Sequence, residues 1–84
     1  MSNEKKFRSL SLTGRFRHLK KEGKYLDSRF FGTYQVHLYE VEGFFAEVWV
    51  RLDFEEVVWI EIASSEQVAE NYAGNIDLND SLGL

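Results

Sequence analysis

The stretch from Phe44 to Ala63 constrains the fold most, because it predicts two strands that are apolar on both faces. Side chains alternate along a strand with a period of two, so each strand presents two separate surfaces. The first face carries Phe44, Ala46, Val48, Val50 and Leu52, and beyond a predicted turn at 53–56 it carries Val58, Ile60 and Ile62. The second face carries Phe45, Glu47, Trp49 and Arg51, then Val57, Trp59, Glu61 and Ala63. A face with two tryptophans is usually covered, so either this chain, a second copy or a ligand covers it.

Length and composition indicate one folded domain. The 84 residues are enough for one modest core, and a hydrophobic content of 44% is far above that of disordered segments. With no cysteine, the chain has no disulfide, thiolate metal site or thiol nucleophile. No apolar run reaches the length of a signal peptide or the roughly 20 residues of a membrane span. These observations predict a cytoplasmic protein that does not enter the membrane.

The sequence pattern divides the chain into two helices and four strands. Residues 1–9 lack a clear period and are predicted to be a frayed lead-in. A helix is predicted over 10–22, ended by Gly23 in a left-handed conformation, and a second helix over 65–73, begun by a capping box of Ser64 and Gln67. The predicted strands are 25–31, 34–41, 44–52 and 57–63, and the tail 75–84 is a short extended segment or a final turn.

These elements predict an α+β domain with two layers, in which a four-stranded antiparallel meander is flanked by an N-terminal and a C-terminal helix in the order α-β-β-β-β-α. Val36 and Leu38 are assigned to the first face, where the helices are expected to pack. The second face then gains the other side chains of the same strand, Gln35, His37, Tyr39 and Val41.

The second face is the predicted contact surface, because exposed aromatic residues and arginine are typical of protein interfaces. We expect a homodimer or another protein partner to bind there. The anchors are Tyr39, Phe45, Trp49 and Trp59, and the residues that set the register are His37, Glu47, Arg51 and Glu61. Two alternatives stay open, since the N-terminal helix or a ligand can cover the same face.

The sequence does not favour an enzyme. His37 with Glu47 or Glu61 is the one candidate acid–base group, but an open sheet without long loops provides little enclosure for chemistry. Cross-strand Glu and Arg residues also have a plainer role in stabilising solvated sheets. Only His18 and His37 are available as imidazole ligands, and no metal-binding motif is present, so we predict no metal and no cofactor.

Charge is distributed unevenly along the chain. Residues 1–30 contain nine basic and three acidic residues, a net charge of +6, whereas residues 31–84 contain one basic and eleven acidic residues, a net charge of −10. An alternative function is therefore nucleic-acid binding through the basic residues of the first helix and its end, Arg17, Lys20, Lys21 and Lys24. Attraction between the basic helix and the acidic strands, within the fold or between subunits, explains the same asymmetry and is favoured.

The run from Gly32 to Arg51, Gly-Thr-Tyr-Gln-Val-His-Leu-Tyr-Glu-Val-Glu-Gly-Phe-Phe-Ala-Glu-Val-Trp-Val-Arg, resembles small bacterial proteins of unassigned function. The similarity extends over roughly residues 10–82 and is specific in these middle strands. This resemblance implies a compact single domain from a bacterial source. No catalytic or binding residue follows from it.

Overall fold

A computed structural model describes residues 2–72 of the chain. The architecture is α+β, with a four-stranded antiparallel meander of spatial order β1-β2-β3-β4 and helices on both sides of it. The elements are α1 (Asn3–Ser9), α2 (Leu12–Glu22), β1 (Lys24–Phe31), β2 (Tyr34–Val41), β3 (Phe44–Arg51), β4 (Glu56–Ala63) and α3 (Ser65–Tyr72). The four strands and the helix α2 lie within two residues of their predicted bounds, and α3 begins where predicted, at Ser65. The predicted end of the second helix, residue 73, lies outside the described residues. The predicted tail, 75–84, lies outside the described residues.

Serine side chains begin all three helices. Ser2 Oγ accepts a hydrogen bond from the backbone N–H of Lys5, and Ser11 Oγ accepts one from Gly14. At α3 the predicted capping box is present: Ser64 Oγ accepts from Gln67 N at 3.1 Å, and Gln67 Oε1 accepts from Ser64 N at 2.9 Å. Each cap satisfies backbone donors that have no partner inside the helix.

Residues 1–9 are not a frayed lead-in, because α1 forms there and buries one large side chain. The Phe7 ring is 2% exposed and meets the Phe44 ring edge-on, with centroids 5.4 Å apart. Asn3 also donates a 3.5 Å hydrogen bond to the carbonyl of Glu42. A seven-residue helix with one apolar anchor has no periodic pattern, so the sequence did not reveal it.

The β2–β3 turn decides which side chains share a face, and it corrects the prediction for β2. Glu42 and Gly43 form a two-residue turn with φ of 50° and 87°, and the flanking Val41 and Phe44 are paired. Paired residues project from the same face of a sheet. His37 and Tyr39 therefore lie on the first face opposite Val48 and Ala46, and Val36 and Leu38 lie on the second face opposite Trp49 and Glu47.

Helices pack on both faces, whereas the sequence predicted two layers. α1 and α2 cover the first face around a core of Phe7, Leu19, Tyr39, Val41, Phe44, Ala46, Val48 and Ile60. α3 packs on the second face, where Val68 and Tyr72 meet Leu38, Ala63, Leu26 and Phe45. The side of the sheet with Trp49 is thus covered in part by the C-terminal helix, not by the N-terminal one.

Gly23 ends α2 through close approach and not through a left-handed conformation. Its φ is −86° and its ψ is 156°, which is extended backbone. A Cβ atom at this position would lie 2.6 Å from the carbonyl oxygen of Leu19, the acceptor of the Gly23 N–H. The position requires glycine because the chain leaves the helix against its own last turn.

Candidate functional site

The eight predicted contact residues do not form one surface. His37 and Tyr39 lie on the first face, and Tyr39 is 8% exposed under α2. Phe45 and Glu47 lie on the second face beneath α3, and Glu47 is 4% exposed. Only Arg51, Trp59 and Glu61 are exposed. The reason is the β2–β3 turn, which moves the odd-numbered residues of β2 to the opposite face from those of β3.

The predicted acid–base group does not assemble either. His37 is paired with Val48 on the first face, whereas Glu47 and Glu61 are paired with one another across β3 and β4 on the second face. The sheet itself therefore separates the imidazole from both carboxylates.

Glu47 instead belongs to a buried polar cluster at the centre of the second face. Its Oε2 accepts a hydrogen bond of 2.7 Å from the Tyr72 hydroxyl and one of 3.1 Å from Arg29 Nη2. Burial first, and then the hydrogen bond and charge of Glu47, raise the pKa of the Tyr72 hydroxyl, so that it remains a donor. This cluster joins β1, β3 and α3.

The Arg29 guanidinium is enclosed by aromatic rings. Its Cζ lies 5.5 Å from the Trp49 ring, 5.7 Å from that of Tyr72 and 5.9 Å from that of Phe31. Cations within about 6 Å of a ring face are attracted by the ring quadrupole. Trp49 is half-buried against Phe31 and Tyr34, at centroid distances of 5.9 and 5.7 Å. Its main role in this structure is therefore to support the cluster.

A different surface, which the alternation pattern did not reveal, gathers exposed apolar side chains at one end of the sheet. Among the described residues eight large apolar side chains are exposed, and six of them lie in or near the β1–β2 and β3–β4 turns. We call this the hairpin-end surface. It consists of Phe30, Phe31, Leu52, Phe54, Val58 and Trp59. Phe30 is paired with Gln35 and projects from the first face, whereas Phe31 is paired with Tyr34 and projects from the second.

The two turns of the hairpin-end surface are joined to each other. The Leu52 N–H donates a 3.0 Å hydrogen bond to the Thr33 carbonyl, which places the β3–β4 turn beside the β1–β2 turn. Phe30, Phe54 and Phe31 are 70%, 65% and 60% exposed, because α1 and α3 contact the sheet near its other end. No helix among the described residues covers these rings.

Charged residues of both signs border the hairpin-end surface. Arg51 Nε donates a 2.9 Å hydrogen bond to Asp53 Oδ1, and its guanidinium lies 4.7 Å from the Phe54 ring centroid. Glu55 and Glu56 follow in the same turn and are exposed. At the outer edge of β4, the Arg15 guanidinium lies 5.0 Å from the Trp59 ring and donates to the Ile60 carbonyl at 2.7 Å.

The basic residues of the alternative hypothesis are all solvent-exposed. Arg17, Lys20 and Lys21 lie along α2 and Lys24 begins β1. Lys20 differs from the others because its ammonium lies 5.4 Å from the Phe16 ring and 5.9 Å from the Tyr39 ring. His18, on the same helix, is paired with Glu42 in the β2–β3 turn.

Metal-ligand groups and membrane-crossing helices were sought within residues 2–72. Within this range no group of three or more His, Asp or Glu residues is arranged to hold a metal ion. None of the helices in the same range is long and apolar enough to cross a membrane.

Comparison with known proteins assigns no family: no family model matches the chain, and no curated protein or solved structure is similar to it. The function must therefore be argued from the geometry.

Proposed function

We propose that this chain is a small non-enzymatic module that binds a protein partner, and that the partner is a second copy of itself. The observation that carries this proposal is the concentration of exposed aromatic rings on the hairpin-end surface. A large exposed apolar patch on a domain this small is typical of an interaction site.

The size of the surface suits a protein interface. With about 200 Å² per aromatic side chain, the exposed fractions of Phe31 and Trp59 on the second face and of Phe54 in the adjoining turn correspond to roughly 350 Å². That area is within the range of the largest patch on a typical monomer, and a standard interface buries about 800 Å² per partner. Leu52, Val58 and the charged border enlarge the patch toward that value.

A second copy is the favoured partner because the border of the surface carries charges of both signs. In a two-fold dimer the same patch lies on both sides of the interface, so attraction requires both signs of charge within one patch. Arg51 supplies the positive charge and Asp53, Glu55 and Glu56 the negative charges. Arg51, which lies over the Phe54 ring, belongs to a residue type that is enriched at binding hot spots.

Sedimentation velocity over a protein concentration series tests this proposal. We expect a monomer–dimer equilibrium that is shifted to monomer by Phe31→Ser with Phe54→Ser. Leu10→Ser is the matched control, since Leu10 is 37% exposed in the link between α1 and α2. A chain that stays monomeric at high concentration, or a control that dissociates the dimer equally, contradicts the proposal.

Nucleic-acid binding is the second candidate, and the full exposure of the basic residues on α2 favours it. Binding of a labelled oligonucleotide, followed by fluorescence anisotropy, would then weaken steeply between low and high salt. Exchanging Arg17 and Lys21 for Glu would abolish it. Absence of binding at low salt would exclude this candidate and leave the dimer proposal untouched.

A further inference from the structure

The first face of the sheet is not fully covered by its helices. Beside α2 the structure contains a cleft of about 410 Å³, within the range of roughly 300 to 1,000 Å³ that is typical of small-molecule sites. Val48, Val50 and Val57 form its apolar floor, and the rings of Phe16 from α2 and Tyr39 from β2 line it as well. The sequence had placed Val57 on the second face and Val58 on the first, but a register shift after Trp49 pairs Val57 with Val50 and so brings Val57 to the first face. The cleft lies on the first face, and Glu55 is the one lining residue that also borders the hairpin-end surface on which the proposed function rests.

One end of the cleft holds an ammonium group. Lys20 lines the cleft, with Nζ placed over the Phe16 and Tyr39 rings at 5.4 and 5.9 Å from their centroids. No carboxylate in residues 2–72 lies within 4.0 Å of this group. The charge is thus positioned by two aromatic rings and is available to an anion.

A hydrogen-bonded pair lies beside this ammonium on the sheet. The Tyr25 hydroxyl and His37 Nδ1 are 3.0 Å apart, and both side chains line the cleft. Burial, and then the positive charge of Lys20, lower the pKa of His37, so the ring is neutral at pH 7. When the hydroxyl donates to Nδ1, the ring proton is on Nε2, where it can be donated to a ligand.

The other end of the cleft is negative. Tyr39, at the Lys20 end, is paired with Ala46 of β3. Val50 follows four residues later in the same strand, about 13 Å from Ala46. Glu55, in the turn that follows, also lines the cleft. The backbone φ of Glu55 is 50°, a value that residues other than glycine rarely adopt. The cleft therefore has a charge gradient along its length, positive at Lys20 and negative at Glu55.

We propose that this cleft binds a small aromatic monocarboxylate, with the carboxylate at Lys20 and the ring over the valine floor. The single unpaired ammonium favours one negative charge, and Glu55 repels a second charge at the far end. At about 30 Å³ per water molecule the volume corresponds to some fourteen waters, which suits a ligand of about ten to fifteen non-hydrogen atoms.

Three probes of nearly equal size and different charge test the proposal: 3-phenylpropionate, 3-phenylpropanamide and 3-phenylpropylamine. Each is titrated into the ¹⁵N-labelled full chain at low salt, and amide chemical shifts are followed. We expect 3-phenylpropionate to bind with a millimolar Kd, as the ligand efficiency of so small a molecule allows, and to shift the amides of Lys20, His37 and Val50. The amide should bind more weakly and the amine least.

Two exchanges of lysine for methionine distinguish binding in the cleft from general attraction of the probe to surface charge. Lys20→Met should weaken 3-phenylpropionate binding about three- to fivefold, as expected for one partly exposed ion pair, and leave 3-phenylpropanamide binding unchanged. Lys21→Met removes the same charge from an exposed position outside the cleft and should change neither. Val50→Phe, which fills the floor, should abolish binding of both probes.

Three results would overturn the proposal. They are no change in amide chemical shifts up to the solubility limit of the probe, equal affinity for the three probes, or equal effects of the two lysine variants on 3-phenylpropionate affinity. The titrations are carried out at a protein concentration at which the chain is monomeric, so none of these outcomes depends on dimerisation. Failure of the cleft proposal can therefore be distinguished from failure of the proposed function.

Discussion

The Tyr72 hydroxyl donates a hydrogen bond of 2.7 Å to Glu47 Oε2, and this bond joins the last turn of α3 to the centre of the sheet. Tyr72 is 1% exposed and Glu47 is 4% exposed, so neither group can exchange this partner for water. Arg29 completes the cluster by donating to the same carboxylate oxygen. A buried carboxylate is tolerated here because a phenol and a guanidinium share its charge.

Removing the Tyr72 hydroxyl and removing the Glu47 charge should both destabilise the fold, but by different amounts. Tyr72→Phe leaves the carboxylate with Arg29, so we expect a loss of about 1–2 kcal/mol in the free energy of unfolding. Glu47→Gln leaves Arg29 without its counter-charge and should cost more, about 2–4 kcal/mol. Urea denaturation of both variants and of the double variant measures the coupling, and additive losses would contradict a direct interaction.

Phe7 should be essential for the stability of the fold and Phe30 dispensable for it, although both are phenylalanines near the ends of their elements. Phe7→Ala removes the buried anchor of α1, so we expect a loss of about 3–4 kcal/mol. Phe30→Ala alters a ring that is 70% exposed and should change stability by less than about 0.5 kcal/mol. Thermal and urea unfolding provide the comparison at a protein concentration where both variants are monomeric. Equal losses would show that α1 does not pack as described.

Gly23 and Gly14 offer a second matched pair. Gly23→Ala places Cβ against the Leu19 carbonyl oxygen at 2.6 Å, a backbone atom that cannot move aside, and should cost roughly 1–3 kcal/mol. Gly14→Ala meets side-chain atoms of Leu10 and Ser11 at 3.3 Å, and its gain in helix propensity of about 0.5–1 kcal/mol offsets that contact. Urea denaturation should therefore show a clear loss for Gly23→Ala alone.

His37 should titrate below its ordinary value of 6.5, because burial and the charge of Lys20 both disfavour the imidazolium. Well above pH 6.5 the ring is neutral in both the folded and the unfolded state. As the pH falls through 6.5 the unfolded chain binds the proton first, so stability should decrease until the lowered pKa is passed. Glu55, Tyr25 and Tyr39 are the other titratable side chains that line this cleft with His37 and Lys20.

NMR titration of the His37 ring protons measures this directly. Lys20→Met removes the smaller of the two causes and should raise the His37 pKa part of the way toward 6.5. Lys21→Met is the control and should leave it unchanged. A wild-type value at or above 6.5 would contradict the described burial of the ring.

Local sequence signals were enough to place the helices α2 and α3 and all four strands. Ser64 and Gln67 predicted the capping box because its two hydrogen bonds lie within four residues of chain. The two-residue turns were marked by Gly32 and Gly43, and both have positive φ in the structure. The short helix α1 was missed because its one anchor, Phe7, finds a partner 37 residues away at Phe44.

The sequence determined the strands and the alternation within β2 and β3, since the period of two is a property of each strand alone, but it did not reveal the register shift that brings Val57 of β4 to the first face. Only the tertiary structure decided which side chains of β2 share a face with which side chains of β3. The two residues that flank a two-residue turn are paired and project from the same face, and this pairing sets the faces of both strands. That pairing placed His37 and Tyr39 beside Lys20 and Glu47 beneath Tyr72. The polar cluster around Glu47 and the cleft beside α2 both depend on the positions of turns and helices along the sheet, which no single strand encodes.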